Sequence, residues 1–200
     1  MKPILFSGEM VRAILDGRKT QTRRVIKPQP AFVANYYESG KKRTAWSGGS
    51  SDPKLLKCPY GQTGDLLWVR ETWASHKYMD DTKPSDFTAG AQMLPVWYRA
   101  DNVQSDERGN WRPSIFMPRW ASRITLRVAG VSVDRVQDMS DEDCINEGMW
   151  MYSPNNAGPA PEILSRGDFA ELWDSINAKR GYAWDSNPWV WVVEFEVVSK

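Results

Sequence analysis

Lys19 and Thr22 lie close together in the stretch Gly17-Arg18-Lys19-Thr20-Gln21-Thr22-Arg23-Arg24. A lysine whose pKa is lowered by burial can take a proton from a neighbouring hydroxyl, and a threonine activated in this way is a nucleophile. In an extended segment Thr22 and Arg24 share one side of the chain. The same residues allow a second chemistry, in which Lys19, Arg23 and Arg24 contact phosphate from a solvated turn. The single histidine, His76, stands in the polar run His76-Lys77-Tyr78-Met79-Asp80-Asp81 and reads as a surface residue. Acid–base work therefore falls to Lys, Glu, Asp, Thr or Tyr. Cys58 and Cys144 are far apart, and neither has a second cysteine or histidine beside it. That argues against a thiolate metal site, and no disulfide is expected.

The elements that must hold this stretch can be read on either side of it. A short strand, Pro3-Ile4-Leu5-Phe6, is followed by Ser7 as a helix cap, with Glu9 in the first turn where its charge suits the helix dipole. Met10, Ile14 and either Val11 or Leu15 fall on one face. Gly17 is placed to end the helix in the left-handed conformation. Further along, Gly64-Asp65 leads into a strand Leu66–Arg70, and a second strand is expected at Val96–Arg99. The β-branched runs between Ile124 and Val136 read as one long bent strand with Gly130 at a bulge. Ser140 and Asp143 have the spacing of a capping box, and Gly148 closes that short helix. Gly167-Asp168 opens another helix with Phe169, Leu172, Trp173 and Ile176 on one stripe. A final strand carries Val193, Phe195 and Val197 alternating with Glu194 and Glu196.

Helices do not follow every strand, which argues against a doubly wound parallel sheet. The expected class is α+β: a mixed, mostly antiparallel β-barrel of five or six strands with about three short flanking helices and long loop insertions. One domain spanning 1–200 is expected, with irregular insertions at about 27–63, 75–95 and 101–118. The formal charge is +1, so a chain coated in positive charge is excluded while a local basic patch is not. No long apolar run and no signal-like start are present, so the expectation is a cytoplasmic chain with no membrane partner. Eleven tryptophans are mostly core by their apolar neighbours. Trp46, Trp111 and Trp150, in glycine- or proline-rich surroundings, are the candidates for stacking on bases.

The pattern Gly17-x-Lys19-x-x-Thr22-x-Arg24 resembles the signature of the ASCH family within the PUA-like barrels, in which an acidic residue usually occupies the place of Thr22. Threonine at that place is similar to the bacterial N4-acetylcytidine amidohydrolases of the family. In these enzymes a lysine, a threonine and a distant glutamate form the catalytic set. Aligning Met139–Met149 with their glutamate-bearing helix puts that glutamate on Glu147. A glutamate at a helix C-terminus is locally unfavourable, as expected of a functional position. Gly64–Arg70 also matches the family's second strand. The longer layout, with Ser114–Ile124 before the long strand, is similar to the larger ASCH proteins of phages and prophages.

The resemblance implies a metal-independent and cofactor-independent amidohydrolase that deacylates an acylated pyrimidine nucleoside such as N4-acetylcytidine. Lys19, Thr22 and Glu147 would be catalytic, and Arg24, Arg23 and Gly17 would face the substrate. The alternative is an RNA- or DNA-binding module, including a nuclease, that uses the same basic cluster, with Tyr36, Tyr37 and Lys41–Arg43 extending a groove.

Overall fold

The computed structural model describes residues 1–38, 41–46, 54–87, 94–151, 162–163 and 166–199. Twelve strands and three α-helices lie among them. In order they are β1 (Lys2–Leu5), α1 (Gly8–Leu15), β2 (Gln21–Val25), β3 (Val33–Glu38), β4 (Lys41–Trp46), β5 (Lys54–Leu55), β6 (Leu66–Arg70), β7 (Trp73–Ala74), β8 (Trp97–Tyr98), β9 (Thr125–Arg135), α2 (Asp141–Asn146), β10 (Trp150–Met151), β11 (Glu162–Ile163), α3 (Arg166–Asn177) and β12 (Trp189–Ser199). The main sheet has five strands in the order β1-β6-β9-β12-β2. Its β1–β6 pair is parallel, and β6–β9 and β12–β2 are antiparallel. The expected mixed, mostly antiparallel α+β arrangement is the one observed. No helix among the described residues is long and apolar enough to cross a membrane.

Two compact units interleave along the chain, and β9 and β12 contribute to both. The first unit comprises Met1–Gly17, Gly64–Arg127 and Glu196–Lys200. The Ser7 hydroxyl accepts from the Met10 N–H at the start of α1, and Gly17 follows the helix at φ +74°. Both ends of α1 thus carry the residues that their backbone conformations favour. One face of its short strands is fully buried through Ile4, Leu67, Val69 and Leu126. A second nucleus packs Trp73, Met117 and Ala121 with Phe87, Val96, Tyr98 and Trp120. The Trp73 ring meets the Phe87 and Trp120 rings edge-on.

Also in this unit, the Arg123 guanidinium lies over the Tyr98 ring and forks to two carboxylates, buried Glu71 and partly exposed Asp101. Burial pushes the Glu71 carboxyl above its usual value, against the pull of Arg123. Burial likewise raises the Tyr98 phenol to about 12.

The second unit comprises Arg18–Thr63 and Val128–Phe195. Its core gathers Val136, Met139, Cys144, Met149, Phe169, Trp173, Val190 and Val192. The first half of β12 is apolar on both faces, and Val190 to Val193 are all buried; the alternation with exposed Glu194 and Glu196 begins only after them. A strand covered on both sides reads as a continuous apolar run. The stripe expected on α3 is kept by Phe169 and Trp173, but Ile176 is 42% exposed, because it lies in the helix's last turn.

The stretch from 27 to 63, expected to be irregular, contains the antiparallel sheet β3-β4-β5. Its polar and basic composition hides the period-2 pattern that a half-buried strand would show. The side chains of Tyr36, Tyr37, Lys41–Arg43, Trp46 and Trp150, expected as loop-borne base contacts, lie outside the described residues.

Candidate functional site

The candidate residues of the second unit are positioned by β2, the segment leading into it, and α2. The α2 helix starts with the expected capping box. Ser140 Oγ accepts from the Asp143 N–H, and Asp143 Oδ2 accepts from the Ser140 N–H at 2.7 Å. Glu147 is its C-cap residue, and Gly148 follows at φ +83°. Asp143 and Glu147 are four residues apart, so they project from one face of the helix. Opposite them, Lys19, Gln21 and Arg23 are alternate residues of an extended segment. Two strand residues advance about 6.6 Å and one helical turn about 5.4 Å, so the two rows lie nearly in step.

The contacts follow that match. Lys19 Nζ donates to Glu147 Oε2 at 2.7 Å and to the Glu147 backbone carbonyl at 2.8 Å. Arg23 reaches both carboxylates, Asp143 Oδ2 at 3.1 Å through Nη2 and Glu147 Oε1 at 3.5 Å through Nη1. Gln21 Nε2 donates to Asp143 Oδ1 at 3.0 Å. The backbones meet as well, because Lys19 and Glu147 form an antiparallel bridge and the Thr20 N–H donates to the Asn146 carbonyl. Lys19 is 1% exposed and Arg23 is 6% exposed, so both cations are taken out of water and held by carboxylates.

This environment sets the charges. Burial drives the Lys19 pKa below its ordinary value; Glu147 opposes that change, while Arg24 and Arg23 add to it. Burial also lowers Arg24, against Tyr60 and Glu147. For Asp143, burial pushes the carboxyl up. The Ser140 N–H, the Gln21 amide and the Arg23 guanidinium outweigh it, and the pKa ends below its usual value.

Of the residues expected from sequence, Lys19, Glu147 and Arg23 come together directly, and Arg24 lies within electrostatic reach of Lys19 and Glu147. Thr22 is buried in β2 opposite Val193, and Arg24 pairs with Trp191. Strand alternation puts both on the face of β2 away from Gln21 and Arg23. Among the described residues the Thr22 hydroxyl makes no hydrogen bond to Lys19 or Glu147. Gly17 belongs to the first unit, where it ends α1.

Sequence reading missed three participants. Gln21 carries no catalytic signature, Asp143 reads only as a cap, and Tyr60 sits in a stretch dominated by glycine and proline. The alternation of Lys19, Gln21 and Arg23 was the one available signal for Gln21.

No family model matches the chain, and no curated protein matches it. Two solved structures are similar to it. One is a protein of Enterococcus faecalis V583 assigned to the family DUF984, at 10% identity and a TM-score of 0.44, covering 100% of this chain and 82% of that one. The other is an ASCH domain from Lactobacillus crispatus JV V101, at 12% identity and a TM-score of 0.40, covering 96% of this chain and 71% of that one.

Proposed function

We propose that this chain is an ASCH-type amidohydrolase that removes the acyl group from an acylated pyrimidine nucleoside, N4-acetylcytidine being the type substrate. One observation carries the reading. Lys19 and Glu147, 128 positions apart and paired by the family pattern, meet at 2.7 Å in a buried ion pair. A buried lysine with a lowered pKa can release its proton to the adjoining carboxylate and become a base.

In this mechanism Lys19 accepts the Thr22 hydroxyl proton while Thr22 Oγ adds to the acetamide carbonyl. Arg24 stabilises the oxyanion. The C–N bond then breaks, N4 takes a proton through Lys19 and Glu147, and cytidine leaves. Water hydrolyses the acetyl ester on Thr22, giving acetate and restoring the hydroxyl. Substrate binding must bring Thr22 and Lys19 together in this scheme, and Thr22→Val tests that step directly.

The face occupied by Thr22 favours one competing reading, in which Arg24 contacts the phosphate of RNA or DNA and the Lys19–Glu147 pair serves the fold. The experiment that separates them follows cytidine release from N4-acetylcytidine by purified parent and Lys19→Arg. Arginine stays protonated and cannot act as a base. Turnover in the parent, rising with pH through the lowered Lys19 pKa and abolished in Lys19→Arg with ligand affinity kept, is the expected result. Absence of release by the parent, or activity retained in Lys19→Arg, refutes the amidohydrolase.

A further inference from the structure

The row Lys19–Gln21–Arg23 against Asp143–Glu147 contains more than the amidohydrolase mechanism uses. Arg23 offers a planar fork, and its two ends go to different carboxylates: Nη2 to Asp143 at 3.1 Å and Nη1 to Glu147 at 3.5 Å. Glu147 is therefore held from two sides, Oε1 by Arg23 and Oε2 by Lys19. Asp143 is fixed independently of that pair. Its Oδ2 accepts from the Ser140 N–H and hydroxyl, and its Oδ1 accepts from Gln21. A carboxylate locked by a capping box thus orients the guanidinium, and the guanidinium orients the glutamate.

We propose that Arg23, anchored on Asp143, is a positioning residue that fixes the Glu147 carboxylate with Oε2 on the Lys19 ammonium. This rests on the amidohydrolase reading for its catalytic consequence, but its structural content can be tested without turnover. It also gives Arg23 a part different from the one expected from sequence, because a guanidinium 2% exposed and engaged with two carboxylates is not placed to meet a substrate.

Lysine cannot replace arginine in this arrangement, because a single ammonium is a point charge and cannot span two carboxylates as a fork does. Removing the guanidinium has two effects of the same sign on Lys19. It deletes a cation that lowers the Lys19 pKa, and it releases Glu147 to Lys19 alone. Both favour the protonated ammonium.

The test combines NMR of isotope-labelled lysine side chains with kinetics. The Lys19 signal is assigned by its loss in Lys19→Arg, and its titration is followed in the parent, in Arg23→Gln and in Arg23→Lys. Arg23→Gln should shift the Lys19 titration upward. With N4-acetylcytidine as substrate, both variants should lower kcat by about 10²-fold, the scale of a small misplacement of a reacting group, with KM little changed. In Arg23→Gln the pH–rate profile should move to higher pH. If Arg23→Gln does not fold, the paired variant Arg23→Gln/Asp143→Asn removes one cation and one anion together and carries the same expectation.

An unmoved Lys19 titration overturns the positioning role whether or not the protein is an enzyme. So does a parent that turns over N4-acetylcytidine while both Arg23 variants keep its kcat and pH profile. A shifted titration in a protein that releases no cytidine supports the positioning role and removes the amidohydrolase reading alone.

Discussion

Glu147→Gln removes one charge from a cluster that is almost wholly buried and leaves its shape intact. The Lys19 ammonium, 1% exposed, would keep its bond to the Glu147 backbone carbonyl and could still donate to the new amide oxygen. It would lose the Glu147 carboxylate, and Arg23 would keep its bond to Asp143. Breaking a buried pair from one side costs about 3–5 kcal/mol, because the remaining charge stays desolvated. The surviving acceptors place this case near the lower end, at about 3 kcal/mol. With a urea slope of about 2 kcal/mol/M, the midpoint should fall by about 1.5 M. The double variant Lys19→Met/Glu147→Gln should recover most of that loss, since removing both partners leaves no orphaned charge and the two changes are strongly coupled.

The pH dependence gives this prediction its sign. Lys19 has a folded-state pKa below its unfolded value of 10.5. Between those two values the unfolded chain holds more protons than the folded one, so stability rises with pH there. Glu147 is the group that holds the Lys19 pKa up, so in Glu147→Gln that window opens at lower pH. The stability gap between parent and variant should therefore narrow as pH rises from the variant's Lys19 pKa to the parent's. Urea titrations at several pH values, each checked for two-state behaviour, measure this. A gap below about 1 kcal/mol, the level of an exposed ion pair, or a gap that widens with pH, would refute the claim that a charged lysine is buried there against the Glu147 carboxylate.

Two further outcomes follow from the first unit. In Gly109→Ala the new Cβ would stand about 2.2 Å from Asp80 Oδ1 and 3.0 Å from the Ser75 carbonyl, and Asp80 holds Asn110 through both its backbone and side-chain amides. Relief would have to break that clamp or shift backbone, so a loss of about 1–3 kcal/mol is expected, read as a lower melting midpoint; an unchanged midpoint would count against the close packing. Arg123→Met leaves Glu71 buried without its partner and should cost about 3–5 kcal/mol at neutral pH. The folded-state pKa of Glu71 already exceeds 4.5 and would rise further without Arg123, so the loss should shrink as pH falls and Glu71 takes up a proton. Urea midpoints at pH 5 and 7.5 check it, and a loss independent of pH would contradict it.

The features legible in sequence were those written in a few neighbouring residues. Ser7 and Gly17 mark the ends of α1, and Ser140, Asp143 and Gly148 mark those of α2, because capping and left-handed turns are local chemistry. The apolar runs at 66–70, 125–135 and 189–199 are strands for the same reason. Pairing was not legible: nothing in Lys2–Leu5 says that it lies parallel to Leu66–Arg70. The β3-β4-β5 sheet escaped because its lysines, tyrosines and threonine give no apolar–polar alternation in the sequence. For the candidate site, the likeness to a family pattern selected Lys19 and Glu147, which do meet. It did not select Gln21 or Asp143, because their significance exists only once a strand and a helix lie in step.

The same alternation explains why the basic run Gly17–Arg24 has two different chemical faces. Lys19, Gln21 and Arg23 turn toward α2, where Glu147 and Asp143 pair with the two cations and Asp143 accepts from the Gln21 amide, and this is why a run that reads as a solvated charge patch is largely buried. Thr22 and Arg24 turn the other way, beside Val193 and Trp191 of β12. At Lys19 the segment pairs with Glu147, while from Thr20 onward its carbonyl and then the whole of β2 pair with β12. The change of partner falls between the base candidate and the nucleophile candidate. A ligand that engages both must therefore bind where the strand begins, with its acyl carbonyl over Thr22 and its leaving nitrogen toward Lys19. A ligand that needs only phosphate contacts has no reason to reach the Lys19–Glu147 pair at all. A change in the Lys19 side-chain NMR signal on adding N4-acetylcytidine, and none on adding an oligonucleotide, is the outcome expected of the proposed amidohydrolase.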